Sequence, residues 1–482
     1  MTTTHEPTAT GAPQQGFAPR PETPTPMGPH GRRADMTNVA REHGFEPLRV
    51  EGTLPRELRG TLYRAGPGLF ETFGVPVDHS FEADGAISAV RLDGAGGAEG
   101  AIRVVASEGL LEERRAGKPL YYSRASAPRR LLNGLTMRLK NTANTSVLSW
   151  RGRLFALVEA GLPTEIAPGD LSTLGATDLG GALRRTLGAH PHPVVSRRAT
   201  YDIGVEYGPR SGFHLVELPW EGPARVFGFV PLKKPVMLHD FVATEKHLVF
   251  LVSPVRLELF RVLFGLTRFG GYFGWHPEDG TEIIVVPIDA PERVTRFRVD
   301  PFFQWHFAGA WEDGEQIAMC FARYPDFASY GALGNSGLDQ QGELVLARVD
   351  PARERFTSER LWGPCDFPRI DPRREGARYT QAFVTSVGDG RRALARVDVE
   401  RGAGDLFVLD RAQLASELIY VPKGDDAAEG EGYALSYIFD SRTTTSHLAV
   451  FDALRMCDGP IARCHFREHV PMTFHGTWVA SD

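Results

Sequence analysis

The chain has 482 residues, 42% of them apolar, and a formal net charge of −6. That is enough apolar side chain for a large core, and with no long Lys/Arg run it excludes nucleic acid as an expected partner. The four cysteines, Cys320, Cys365, Cys457 and Cys464, form no CxxC pair, which excludes a disulfide framework or a zinc knuckle and points to a reducing, cytoplasmic setting.

Residues 1–38 are rich in Thr, Pro, Gly and Ala and lack an apolar core segment. They read as a disordered tail and not as a secretory leader. From about residue 48 onward, short β-rich runs alternate with turn signals. TLYRAGP (61–67), AISAVRL (86–92), HLVELPW (214–220), HLVFLVS (247–253), EIIVVPI (282–288), ELVLARV (343–349), GDLFVLD (404–410) and SHLAVFD (446–452) all fit strands. In SVLSWRGRLFALVEA, Arg151-Gly152 reads as the turn of a hairpin. Fifty-two glycines and 35 prolines fit many turns and few helices. Many short strands without βαβ alternation imply an all-β sandwich, barrel or propeller. No run of about 18 apolar residues offers a membrane span.

Four histidines stand in distinctive contexts: His190 in GAHPHP, His239 in MLHDF, His306 in QWHFAGAWE and His475 in PMTFHG. They are too far apart for a local metal finger. They form one site only if the fold carries distant strands to a common axis, and neutral imidazole suits iron, copper, nickel or zinc. On spacing alone either His190 or His192 could be the ligand. His465 and His469 lie four residues apart, but with no third ligand nearby they read as surface residues.

These contexts, with LRGTLYRAGPGLFE (58–71), HSFEADGAISAV (79–90), NTANTSVL (141–148), FALVEAGLP (155–163), FPRID (367–371) and VPKGDDAAEGEGYALS (421–436), resemble the carotenoid cleavage oxygenase family from about residue 45 to the end. The resemblance implies an all-β, seven-bladed β-propeller over 39–482, a single catalytic domain with a few helices and loops capping the metal-bearing face. The order His190, His239, His306, Asp366, Glu429, His475 agrees, since a four-stranded blade with loop insertions takes about 40–50 residues or more.

The resemblance further implies Fe(2+) held by His190, His239, His306 and His475 as the catalytic centre. Glu159, Asp366 and Glu429 are then the carboxylates that orient the ligands. The family usually has Glu where Asp366 stands, and Asn where Gly309 stands. The implied reaction is cleavage of a conjugated C=C bond of a carotenoid or apocarotenoid with O2, giving two carbonyl products. Cleavage of a stilbenoid or phenylpropanoid double bond is the alternative enzyme reading, and a non-catalytic interaction propeller the alternative outside enzymes. Stilbene-cleaving relatives resemble one another in a Lys at the position of Val158, which favours the carotenoid class here. Val158, Trp305 and Phe474 are the expected cavity residues.

An apolar polyene also calls for an apolar mouth. Two segments offer one: 127–140 (APRRLLNGLTMRLK) and 254–275 (PVRLELFRVLFGLTRFGGYFGW). Read at helical period, Val255, Leu259, Phe260, Val262, Leu263, Phe264 and Leu266 of the second form a broad apolar arc, with Glu258, Arg261 and Arg268 opposite. Such a patch, flanked by Arg129, Arg130, Arg138 and Lys140, fits reversible contact with the inner membrane face.

Overall fold

The large sheets of the computed structural model stand as blades around a central axis. The structure describes residues 25–481 except 160, 209, 265 and 334–341. Six sheets of four or more strands make seven blades, because the seven-stranded sheet is shared by two of them.

Blade 1 runs inward from His43–Pro47 through Ala98–Val104, Asp84–Asp93 and Arg59–Leu69 to Gly476–Ala480. The blade 2 strands are Ser146–Trp150, Arg153–Leu157, Thr164–Ile166 and Thr173–Ala176. Blade 3 comprises His192–Val194, Ala199–Glu206, Gly212–Pro219 and Arg225–Pro231, and blade 4 Val242–Ala243, His247–Val252, Thr281–Pro287 and Thr295–Val299. Blade 5 uses Phe303–Asp313, Gln316–Tyr324, Gly342–Asp350 and the first half of Arg355–Arg369. The second half of that long strand opens blade 6, followed by Gln381–Gly388, Arg391–Asp398 and Ala403–Val408. Blade 7 is Ile419–Pro422, Gly432–Asp440, Thr445–Asp452 and Ala462–His465, with Arg49–Gly52 on its rim. Both ends of the chain thus close the ring, which leaves no open seam between the first and last blades.

Strands such as Gln316–Tyr324 and Gly432–Asp440 are buried along nearly their whole length. Both faces of a blade pack against a neighbour, so these strands read as continuous apolar runs and not as alternation. Each gap between blades holds its own cluster. Leu62 and Val90 pack with Leu435 and Leu448 between blades 1 and 7, and Ile203 and Phe213 with Phe250 and Ile284 between blades 3 and 4. Burying each such side chain is worth about 1.5–3 kcal/mol. The Arg151-Gly152 turn forms as expected: both residues have positive φ, 53° and 73°, the geometry that matches the twist of a two-residue hairpin.

A cap covers one face of the ring. It contains α1 (Glu108–Ala116), α2 (Ala127–Leu135) and the short α3 (Leu259–Leu263). Ser107 caps α1 by accepting from the Leu110 N–H, and Gly117 ends it at φ 63°. Segment 254–275 is not the long helix that its periodicity suggests. Val255–Leu257 pairs with Phe273–Trp275 as a hairpin, and between them lie only the five-residue α-helix Leu259–Leu263 and the 3-10 turn Phe269–Gly271. Val255 is wholly buried beneath it, and Arg256 and Lys234 both grip Asp279, so tertiary contacts override the helical pattern. Lys140 is corrected too. It is not a surface cation but 1% exposed, with its ammonium 2.6 Å from Asp84 and 2.7 Å from Glu113.

Part of the segment expected as a tail, 1–38, packs on the propeller. Residues 1–24 lie outside the described residues. Beyond them, Met36 is buried with Phe70 and Val77, and the Asn38 amide makes two hydrogen bonds to the Glu71 backbone. A few apolar and amide contacts therefore tie residues 36–38 to the propeller despite their loop-like composition.

Candidate metal centre

Each blade sends one side chain to the axis. Blades 3, 4, 5 and 1 supply His190, His239, His306 and His475, each within or just before an innermost strand. One ring nitrogen from each lies within 4.8 Å of the other three. The Nε2 atoms of His190 and His239 are 3.1 Å apart. The expected four-histidine set is therefore assembled.

Blades 2, 6 and 7 supply carboxylates behind the ligands. His239 Nδ1 lies 2.6 Å from Glu159, His306 Nδ1 3.0 Å from Asp366, and His475 Nδ1 2.9 Å from Glu417. A carboxylate at Nδ1 holds the proton there, fixes the ring's aim and leaves the Nε2 lone pair free for a cation. The shorter Asp366 still reaches its histidine directly. Glu417 takes the place expected for Glu429. Glu429 lies in the loop after strand Ile419–Pro422 and accepts from Thr380 and Gln381 backbone N–H at 2.6 and 2.9 Å, joining blade 7 to blade 6. The signal for Glu417 was positional: it stands two residues before an innermost strand, as His239 stands three before and His475 one before.

Burial lowers His190 and His475, whereas at His306 burial is outweighed by Asp366, which raises that imidazole. Burial and the neighbouring histidines hold His190 well below the ordinary imidazole range. Burial outweighs Glu417 at His475 and holds it at about 4. Burial pushes Glu417 up, but Arg369, His475 and Arg64 outweigh it and hold that carboxyl at about 2. Arg64 and Arg369 each approach Glu417 to 3.3 Å. His192 lies outside the four-histidine group. Its Nε2 is 2.9 Å from Asp240 and its Nδ1 3.7 Å from Glu375. Those two carboxylates overcome burial and raise it to about 10. Asp240, unforeseen from the sequence, also accepts from the Phe307 N–H and lies 3.8 Å from His190 Nδ1. His465 and His469 instead bond Glu51 and Thr37.

Two chambers meet here. Under the cap, an apolar cavity of about 180 Å³ is lined by Phe81, Leu139, Val158, Val205, Phe269 and Phe273 and reaches Glu159 and His239. On the other side, an axial chamber of about 310 Å³ is bordered by His190, His306, His475, Asp240, Glu375 and Arg369. Val158 is a cavity residue as expected. Trp305 and Phe474 do not line this cavity. Trp305 is 1% exposed, donates its indole N–H to Ser329 at 2.8 Å and packs edge-on against His239. Phe474 backs Phe81. Neighbours on an extended chain point to opposite sides, so a residue beside an inward ligand faces the core.

The profile of the RPE65 family (Retinal pigment epithelial membrane protein) matches residues 36–480. The chain therefore belongs to this family, the carotenoid cleavage oxygenases, a family of metalloenzymes, and it is an oxygenase. It is 31% identical to the apocarotenoid-15,15'-oxygenase of Synechocystis sp. across 89% of this chain and 92% of that one. It is 27% identical to resveratrol cleavage oxygenase 1 of Chaetomium globosum, across 95% and 88%. The structure of the cobalt-substituted Synechocystis enzyme superposes with a TM-score of 0.86 at 28% identity, covering 95% of this chain and all of that one.

Proposed function

We propose that this protein is an Fe(II)-dependent dioxygenase that cleaves a conjugated C=C bond of a carotenoid or apocarotenoid with O2, giving two carbonyl products, and that residues 39–482 act as one catalytic unit. The observation that carries this reading is the convergence of four histidine nitrogens within 4.8 Å of one another at the end of an apolar cavity. Four neutral imidazoles suit a divalent first-row ion. Bound there, Fe(II) would supply O2 activation with coordination positions to spare.

The chain's own residues do the rest. Glu159, Asp366 and Glu417 hold the Nδ1 protons of three ligands and so aim their Nε2 atoms. Phe81, Val158, Val205 and Phe273 present apolar walls that accept a polyene and exclude water. Val158 offers no polar partner to a phenol, which sets the polyene above a stilbenoid as substrate. No acid or base is needed at the cleaved bond, because both product oxygens come from O2.

The cap supports a membrane-contacting mouth. Leu132, Leu135, Phe260 and Leu266 are 50, 60, 67 and 65% exposed, and α2 packs beside α3. Among the described residues no helix is long and apolar enough to cross a bilayer, so the contact would be peripheral.

The test is anaerobic purification with metal analysis, followed by incubation with apocarotenals and with resveratrol. One iron per chain and O2-dependent aldehyde products from an apocarotenal support the reading. Products from resveratrol alone would move the substrate to the stilbenoids. A metal-free protein inactive on both would overturn it.

A further inference from the structure

The three carboxylates behind the ligands are anchored in different ways. Glu417 is gripped by Arg64 and Arg369. Among the described residues no Lys or Arg pairs with Asp366. One oxygen accepts from His306 Nδ1 at 3.0 Å, and the other accepts from the Tyr324 hydroxyl at 2.7 Å. Asp366 is fully buried and Tyr324 is 2% exposed, so no solvent competes for either group. Tyr324 ends strand Gln316–Tyr324 of blade 5, whereas Asp366 opens the inner edge of blade 6. The tyrosine ring bridges the two blades over Gly342, where a Cβ would come within 2.9 Å of ring carbon Cε2. Bare backbone at 342 thus makes room for this ring. Burial and Asp366 push the phenol well above its ordinary range, so the hydroxyl remains a donor.

We propose that Tyr324 is a positioning residue of the metal centre. It sets the plane of the Asp366 carboxylate, and through it the aim of His306 Nε2 and the electron density that this nitrogen offers. Because the phenol hydroxyl lies directly against the carboxylate, a longer acid at 366 would press on it. The inference rests on the four-histidine reading of the site.

The test is anaerobic Co(II) titration of the full chain, reading affinity and the d–d absorption bands. Tyr324→Phe is expected to bind Co(II) about 10-fold more weakly, the low end of the effect of partners outside the ligand set, and to shift the bands. Tyr379→Phe is the control. Its buried hydroxyl donates to the Gly309 carbonyl at 3.0 Å, so its loss would lower only the melting temperature. Asp366→Glu is expected to weaken binding, and Tyr324→Phe added to it to restore part of the loss. Unchanged affinity and bands in Tyr324→Phe, or an Asp366→Glu effect of equal size in both backgrounds, would overturn the proposal while leaving the oxygenase reading intact. A wild-type chain that takes up no metal would overturn both.

Discussion

The axis and the cap use charge to different ends. At the axis, Glu417, Arg64, Asp240 and His192 are buried and paired, and every pair bears on the direction of an imidazole. In the cap, charge is used for fastening. Lys140 joins Asp84 to Glu113 beneath α1, and Asp279 holds Arg256 and Lys234 near the surface. Between these fastenings the cap exposes large apolar side chains. The contrast separates two jobs: an axis whose imidazoles are held by buried pairs, and a cover that is fastened by ion pairs and turns large apolar side chains outward.

The largest effect expected is at the axis. His306→Ala removes one of four donors and should lower iron binding and turnover about 1000-fold or more, with the circular dichroism of the propeller retained. Next comes Glu417→Gln, which leaves the buried Arg64 and the partly exposed Arg369 beside a neutral amide. It should cost about 3–5 kcal/mol in denaturant unfolding and about 10–100-fold in metal affinity. The same change at Glu429, which touches no ligand, should cost about 1 kcal/mol and leave metal affinity as it was. Equal effects at 417 and 429 would erase the distinction between aiming and fastening.

The cap should respond to different probes. Leu132→Ser with Phe260→Ser removes two exposed apolar groups worth about 1.5–3 kcal/mol each on burial. Co-sedimentation with anionic vesicles should fall at least 10-fold, while iron content stays unchanged. A smaller effect concerns pH. Burial pushes Asp279 up, but hydrogen bonds from Arg256 and Lys234 outweigh it and hold the carboxyl at about 2. Because that value lies below the ordinary 3.8, the clamp is whole above about pH 4 and is lost as pH falls toward 2. Hydrogen exchange over 254–279, corrected for its intrinsic pH dependence, should quicken across that range and should already be fast in Asp279→Asn.

Much of the axis was legible in the sequence, because each of the four histidines sits in a short distinctive motif. His190, His239, His306, His475, Glu159 and Asp366 fall where those motifs place them. Glu417 carries no such signal: its surroundings, SELIYVP, read as plain strand, whereas Glu429 stands in the segment 421–436 that resembles the family. What identifies Glu417 is its place before an innermost strand, and that is visible only once the blades are drawn. The cap was poorly legible for a related reason. Apolar residues at helical spacing in 254–275 serve three surroundings at once: the buried face of Val255, the cavity face of Leu257 and Leu259, and the outward Phe260. No single period describes a segment that folds back on itself. Trp305 and Phe474 show the same limit from the other side, since adjacency to a ligand says nothing about which way the neighbour points.

The most direct measurement is X-ray absorption at the iron edge of the anaerobically loaded protein. The account predicts four imidazole nitrogens around the ion, with all three carboxylates outside the bonding distance. A carboxylate oxygen bound to the iron, or fewer than four imidazoles, would contradict it.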